Sequence, residues 1–169
     1  MKPTKALLVG LAAFAVSSCG YHLGGVKPDN MQNMNTFAVE MFENNTVQPN
    51  VGMLVTTAMA NALQSDGTYR MASRNEADFI VKGVVTDIER RSLITDTEDT
   101  YISREIGLTV NVDYEIIDRK TGKVIRSNSA SGSGSYYNQG VNTMSAMDTA
   151  LSYATRCLAD NITLNLTSK

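Results

Sequence analysis

One histidine and two cysteines are all the chain offers of the side chains that most often carry nucleophilic or metal chemistry. The histidine, His22, stands three residues past Cys19 in a Gly, Asn and Lys-rich stretch. A Ser–His or Cys–His pair therefore cannot be assembled in a folded site, and no catalytic residue is expected. Nor do His, Cys, Asp and Glu converge with the spacing of a ligand set, so neither a metal nor another cofactor is expected. Gly132 and Gly134 lack the strand-to-helix setting and the lysine of a phosphate-binding loop; they read as flexibility. An excess of base is also missing. The 15 Lys and Arg are outnumbered by 17 Asp and Glu, which argues against a nucleic-acid partner. Asp96, Glu98 and Asp99 form a carboxylate cluster that reads as a solvated acidic loop, with calcium binding or glycosidase-type acid–base work as the alternative.

A membrane-spanning run is lacking too, and what stands in its place is the most informative stretch of the chain. Lys2 and Lys5 precede an apolar run from Ala6 to Val16, shorter than the roughly 20 residues a bilayer needs. Ser17, Ser18 and Cys19 follow. A basic start, an apolar centre and small residues before a cysteine look like a bacterial lipobox, with an ordinary secretory signal as the alternative. Residues 1–18 are then a signal peptide, and Cys19 is the lipidated first residue of the mature chain. Several acyl chains on one cysteine would anchor it firmly without a further membrane segment, at about 0.8 kcal/mol per buried CH₂. Gly20 is not the aspartate associated with inner-membrane retention, which favours the outer membrane. The mature chain would keep only Cys157, so it must hold by packing rather than by an internal disulfide.

Residues 19–35 read as the lipidated N-terminus and a tether, mobile or loosely docked, and 36–169 as a single domain. Thr36 to Phe42 alternates, with Phe37, Val39 and Met41 on one side, and Glu43 to Thr46 breaks it. Val51, Leu54, Val55, Ala58, Met59, Ala62 and Leu63 make one apolar helix face, with Asn50 as N-cap and Gly67 just past the end. Ala77 to Glu89 is an inner strand with Phe79, Val81 and Val85 on one face and Ile80, Val84 and Ile88 on the other; Gly83 marks a bulge or a close crossing helix. Arg90 to Glu105 is a charged loop or hairpin end. Ile106, Leu108, Val110, Val112, Tyr114 and Ile116 then alternate with polar residues in the strongest period-two signal of the chain. A turn at Asp118–Gly122 returns the chain along Val124 to Ala130 as an antiparallel partner. Ser127 to Gly140 is a low-complexity loop or a flat edge extension. A second helix follows, with Met147, Leu151, Ala154, Leu158 and Ile162 as its seam, and Ser145 and Asp148 at capping-box spacing. The order β-α-β-β-β-α predicts an α+β two-layer sandwich, two helices on one face of a roughly four-stranded antiparallel or mixed sheet.

Cys19-Gly20-Tyr21-His22-Leu23-Gly24-Gly25, then Phe37-Ala38-Val39 to Phe42-x-Asn44, Ala77-Asp78 and Gly83 opening a strand, the Asp118–Gly122 hairpin and the closing helix resemble the lipopolysaccharide-assembly lipoproteins (LptE-like). The resemblance spans nearly all of the mature chain. It implies two helices against a four-stranded sheet, no catalysis, and a plug seated inside a large outer-membrane β-barrel that inserts lipopolysaccharide into the outer leaflet. The polar strand face of Thr109, Asn111, Asp113 and Glu115 fits the polar lumen of such a barrel and is the candidate contact. Arg90, Arg91 and Arg104 are the candidates for meeting lipopolysaccharide phosphates, beside the plainer reading of a solvated charge cluster. The Phe37 to Asn44 pattern, a helix and then Tyr69-Arg70-Met71 also look like outer-membrane lipoproteins that activate periplasmic cell-wall synthases or form secretion-pore oligomers. Against the first of these, a tether of roughly 15 residues reaches only about 20 Å. A lipid-anchored hydrolase would require the Asp96–Asp99 carboxylates to pair with a distant partner.

Overall fold

The structure is a computed structural model, which describes residues 25–93, 104–138 and 143–167. Two helices lie on one face of a mixed sheet, the α+β sandwich that the alternation predicts. The order is β1 (Thr36–Val39), β2 (Glu43–Asn44), α1 (Val51–Asp66), β3 (Arg70–Met71), β4 (Phe79–Ser92), β5 (Arg104–Asp118), β6 (Val124–Asn138) and α2 (Thr143–Thr167). The sheet has six strands rather than four, because β2 and β3, two residues each, are too short to leave a period in the sequence. β3, β1 and β4 run parallel, β2 also pairs parallel with β4, and β4, β5 and β6 form an antiparallel meander.

Leu108, Val110, Val112, Tyr114 and Ile116 of β5 are buried on the helix side, as their alternation requires. Val51, Val55, Met59 and Leu63 of α1 are fully buried, while Leu54, Ala58 and Ala62 are half-buried beside α2. From α2, Leu151, Ala154, Leu158 and Ile162 complete the core.

Several expectations shift by a residue or a face. β1 ends at Val39, so Met41 is 64% exposed and Phe42 turns inward instead. Gly83 is neither at a bulge nor under a helix. The Phe42 ring lies where its side chain would be, with the Asp113 carbonyl 2.6 Å from that point. The bulge falls between Val85 and Asp87, and one extra residue reverses the alternation beyond it. Ile88 is thereby set opposite Val110 and packs on the core, not on the outer face. Asn50 makes no side-chain cap and takes a left-handed backbone, φ 64°, whereas Gly67 ends α1 at φ 77° as its position predicts. α2 starts at Thr143, which puts Ser145 inside the first turn instead of at the cap. Cys19, His22 and the Asp96–Asp99 cluster lie outside the described residues.

The residues leading into β1 are packed onto the domain. Val26 N–H donates to the Thr167 carbonyl at 2.9 Å, Gly25 N–H donates to Thr68 Oγ1 at 2.6 Å, and Met31 is fully buried. The junction is held by Asp78, whose Oδ2 accepts the N–H groups of Asn35 (2.9 Å) and Thr36 (3.1 Å) and the Thr36 hydroxyl (3.0 Å). These donors, the Asn35 amide foremost, hold its carboxyl below the usual carboxylate range, with Lys120 Nζ 3.9 Å away adding to them. A depressed folded pKa contributes stability above the unfolded value of about 4 and loses it as pH falls through the folded pKa. Asp78→Asn is therefore expected to cost about 1–2 kcal/mol at pH 7 and progressively less as the pH is lowered below about 4, checked by urea unfolding along a descending pH series.

Candidate docking face on the open side of the sheet

Alternation along β5 turns Thr109, Asn111, Asp113 and Glu115 away from the helices, and the register supplies their neighbours. Glu89, Thr109 and Ser133 form one row across β4, β5 and β6. Asp87, Asn111 and Ser131 form the next, then Val84, Asp113 and Ser129, then Lys82, Glu115 and Ser127. The four residues picked out from the sequence are thus brought together as the middle column of a three-strand face. What sequence reasoning missed are the flanking columns. Their signal was present in the serines at every odd position from 127 to 135, a period of two hidden by low complexity.

Hydrogen bonds between the columns stiffen this face. Thr109 Oγ1 and Ser133 Oγ are 3.0 Å apart, and Ser129 Oγ donates to Asp113 Oδ1 at 2.6 Å. Asn111 Nδ2 donates to Glu89 Oε1 at 3.3 Å, Ser135 Oγ donates to Glu105 Oε1 at 2.7 Å, and Lys82 Nζ lies 3.1 Å from Glu115 Oε2. Asp87, Glu89, Glu105, Asp113 and Glu115 outnumber Lys82 and Arg91, so the face is acidic as well as polar. Small hydroxyls, carboxylates, an amide and the Lys82 ammonium cover it, with Val84 the apolar member of the four rows. No group of three or more His, Cys, Asp or Glu side chains is arranged to hold a metal ion among the described residues.

The three arginines do not form a comparable patch. Arg90 pairs with Leu108 and Arg91 with Gly107, so consecutive side chains leave β4 on opposite faces. Arg90 Nη2 donates to Gln48 Oε1 at 3.2 Å on the helix side, and Arg91 continues the acidic face. Arg104 opens β5 opposite Asn138 at the same end of the sheet. On the other layer, α1 and α2 leave a groove of about 650 Å³ between them, with Leu54, Ala58 and Ala62 on one wall and Arg156, Asp160 and Thr163 on the other. No described helix is long and apolar enough to cross a membrane.

Comparison with known proteins agrees with this architecture. The chain is similar in fold to the PelC dodecamer subunit of Paraburkholderia phytofirmans, at 22% identity and a TM-score of 0.54, over 85% of this chain and 94% of that one. It is also similar to protein XCC0632 of Xanthomonas campestris, of the DUF330 family, at 12% identity and a TM-score of 0.58, over 87% of this chain and 88% of that one. At such identities the likeness speaks for the fold alone. No curated protein matches the chain. The family model described as lipopolysaccharide-assembly, LptE, matches residues 34–166, from just before β1 to the last turn of α2, and the chain therefore belongs to the LptE lipopolysaccharide-assembly family.

Proposed function

We propose that the chain is a lipid-anchored outer-membrane lipoprotein of the lipopolysaccharide transport machinery, acting without catalysis as plug and assembly partner of a large outer-membrane β-barrel. The observation that carries this reading is the rigid, hydroxyl- and carboxylate-covered face of β4, β5 and β6, left open while the other face is buried under two helices. Barrel lumens are polar and wet, and a face of this kind can rest against one without stranding apolar surface in water, its surplus carboxylates calling for water or basic groups on the lumen wall. Cys19 supplies the acyl anchor. Arg90, Arg91 and Arg104 gather at one end of the sheet and meet lipopolysaccharide phosphates there, from both faces of the hairpin rather than from a flat patch. A second reading is an outer-membrane lipoprotein that activates a periplasmic cell-wall synthase or forms a secretion-pore oligomer, and the likeness to the PelC dodecamer subunit favours its oligomeric form.

Purifying the tagged lipoprotein from its own membranes in mild detergent and identifying the companion by mass tests the proposal. The expected result is a stoichiometric large barrel, lost from Asn111→Trp and Asp113→Trp chains that keep their melting temperature. Recovery of a periplasmic synthase, or of homo-oligomers alone, overturns the plug and favours the second reading.

A further inference from the structure

The sheet ends on β6, and its outer edge is unusually bare. Leu93 N–H donates to the Glu105 carbonyl, so the odd residues of β5 turn their backbone groups toward β4 and the even ones toward β6. In β6, the even residues consequently bond β5, and Ser127, Ser129, Ser131, Ser133, Ser135 and Tyr137 turn their N–H and C=O groups outward. Two of these twelve groups are occupied: Asn161 Nδ2 donates to the Ser131 carbonyl at 3.0 Å, and Ser129 N–H donates to Asn128 Oδ1 at 3.0 Å. The other ten have no partner among the described residues. Proteins ordinarily guard such an edge with lysine, proline, a bulge or a covering element. From Ser127 to Asn138 this one has no charge and no proline, and its pairing is regular.

We propose that the outer edge of β6 pairs antiparallel with the same edge of a second copy, joining two sheets into one. The chemistry of the edge fits its own copy. Antiparallel self-pairing sets serine against serine on the outer face and Asn128, Ala130, Gly132 and Gly134 against their like on the inner face, so no like charges meet although the chain is acidic overall. The flank of α2 beside the edge is uncharged as well: Tyr153, Cys157 and Asn161 stand at i, i+4 and i+8, with Tyr153 3.4 Å from the Cβ position of Gly134. The charges of that helix segment, Arg156 and Asp160, line the groove toward α1 instead. A two-fold arrangement of this kind is closed and self-complementary. The proposal concerns the chain free of any companion and stands whether or not the plug reading does.

Sedimentation equilibrium of the full lipidated chain, separated from companions in a density-matched detergent, tests it. A monomer–dimer equilibrium is expected. Ser133→Pro, which removes an outward N–H and no ladder bond to β5, and Ser131→Lys, which brings like charges together, should each weaken it tenfold or more at unchanged melting temperature. Single cysteines at 129, 131, 133 and 135 in a Cys157→Ser chain should cross-link preferentially at the two-fold position. A monomer at every concentration overturns the proposal, and so does a dimer indifferent to Ser131→Lys, the variant that leaves the backbone intact.

Discussion

Replacing Gly132 by valine is expected to lower the melting temperature by about 10 °C or more, or to leave no folded protein. Gly132 is buried in β6 under the middle of α2. A Cβ built there falls on the Ala154 carbonyl oxygen and the Leu158 amide nitrogen, and 2.7 Å from Leu158 Cβ. Those atoms belong to a helix backbone that cannot yield locally. The helix must lift from the strand, which exposes Leu158, Ala154 and Ile162 together and costs at least about 3 kcal/mol. Gly134 repeats the notch one turn away, its Cβ position 2.6 Å from the Ala150 carbonyl. Gly122 is the control: it has φ 69° and open space around it, so Gly122→Ala should cost only the left-handed backbone penalty of about 1–2 kcal/mol. Thermal unfolding by circular dichroism separates the two. Equal losses at Gly122 and Gly132 would mean that α2 does not rest on the strand as closely as described.

These glycines also show where sequence reading stops. Alternation made β5 legible because each residue there is large on one side and polar on the other, and it gave the four residues of the outer column directly. In β6 the inner positions are Ala130, Gly132 and Gly134, so the strand shows no apolar period and its glycines read as flexibility. They are the opposite, a groove cut for a helix. The matching half of the signal lay in Ala150 and Ala154, small residues at i and i+4 on the face that meets those glycines. Only tertiary placement joins the two halves. The bulge after Val85 is illegible for a related reason: an extra residue leaves composition untouched while exchanging the faces of everything beyond it, which is why Ile88 moved inward. The arginines illustrate the converse. Their nearness in sequence suggested a cluster, but adjacent residues of a strand point apart, so Arg90 and Arg91 cannot form one patch. For the outer column, alternation gave the four residues that share a face, and the structure added the serines and carboxylates that hold them in place.

Phe79→Ala is the other substitution expected to act strongly, at about 3–5 kcal/mol, or roughly 10–20 °C in melting temperature. Phe79 is fully buried where the parallel and antiparallel parts of the sheet meet. It is the register partner of Phe37, ring centroids 6.3 Å apart, and Tyr69 stands edge-on to it at 4.9 Å. Such pairs add about 0.5–1.5 kcal/mol to the burial of their area. Tyr69 in turn donates its hydroxyl to the Leu166 carbonyl at 3.4 Å and lies 5.4 Å beneath the Lys27 ammonium. Removing the Phe79 ring thus loosens the element that holds the end of α2 and the incoming chain from residue 25, beyond the cavity it leaves. Ile80, next in sequence, faces the other way into a small cluster with Ala38 and Ala77, and Ile80→Ala should cost about 2 kcal/mol. Phe79→Leu should recover more than half of the loss by refilling the space. Urea unfolding with a common slope for all three variants is the measurement. None of the three alters the outer column of β5, so at temperatures where they remain folded each should still capture any companion that Asn111→Trp is expected to lose. Loss of capture by folded Phe79→Ala would instead place the contact at the pole where the chain enters the domain at residue 25.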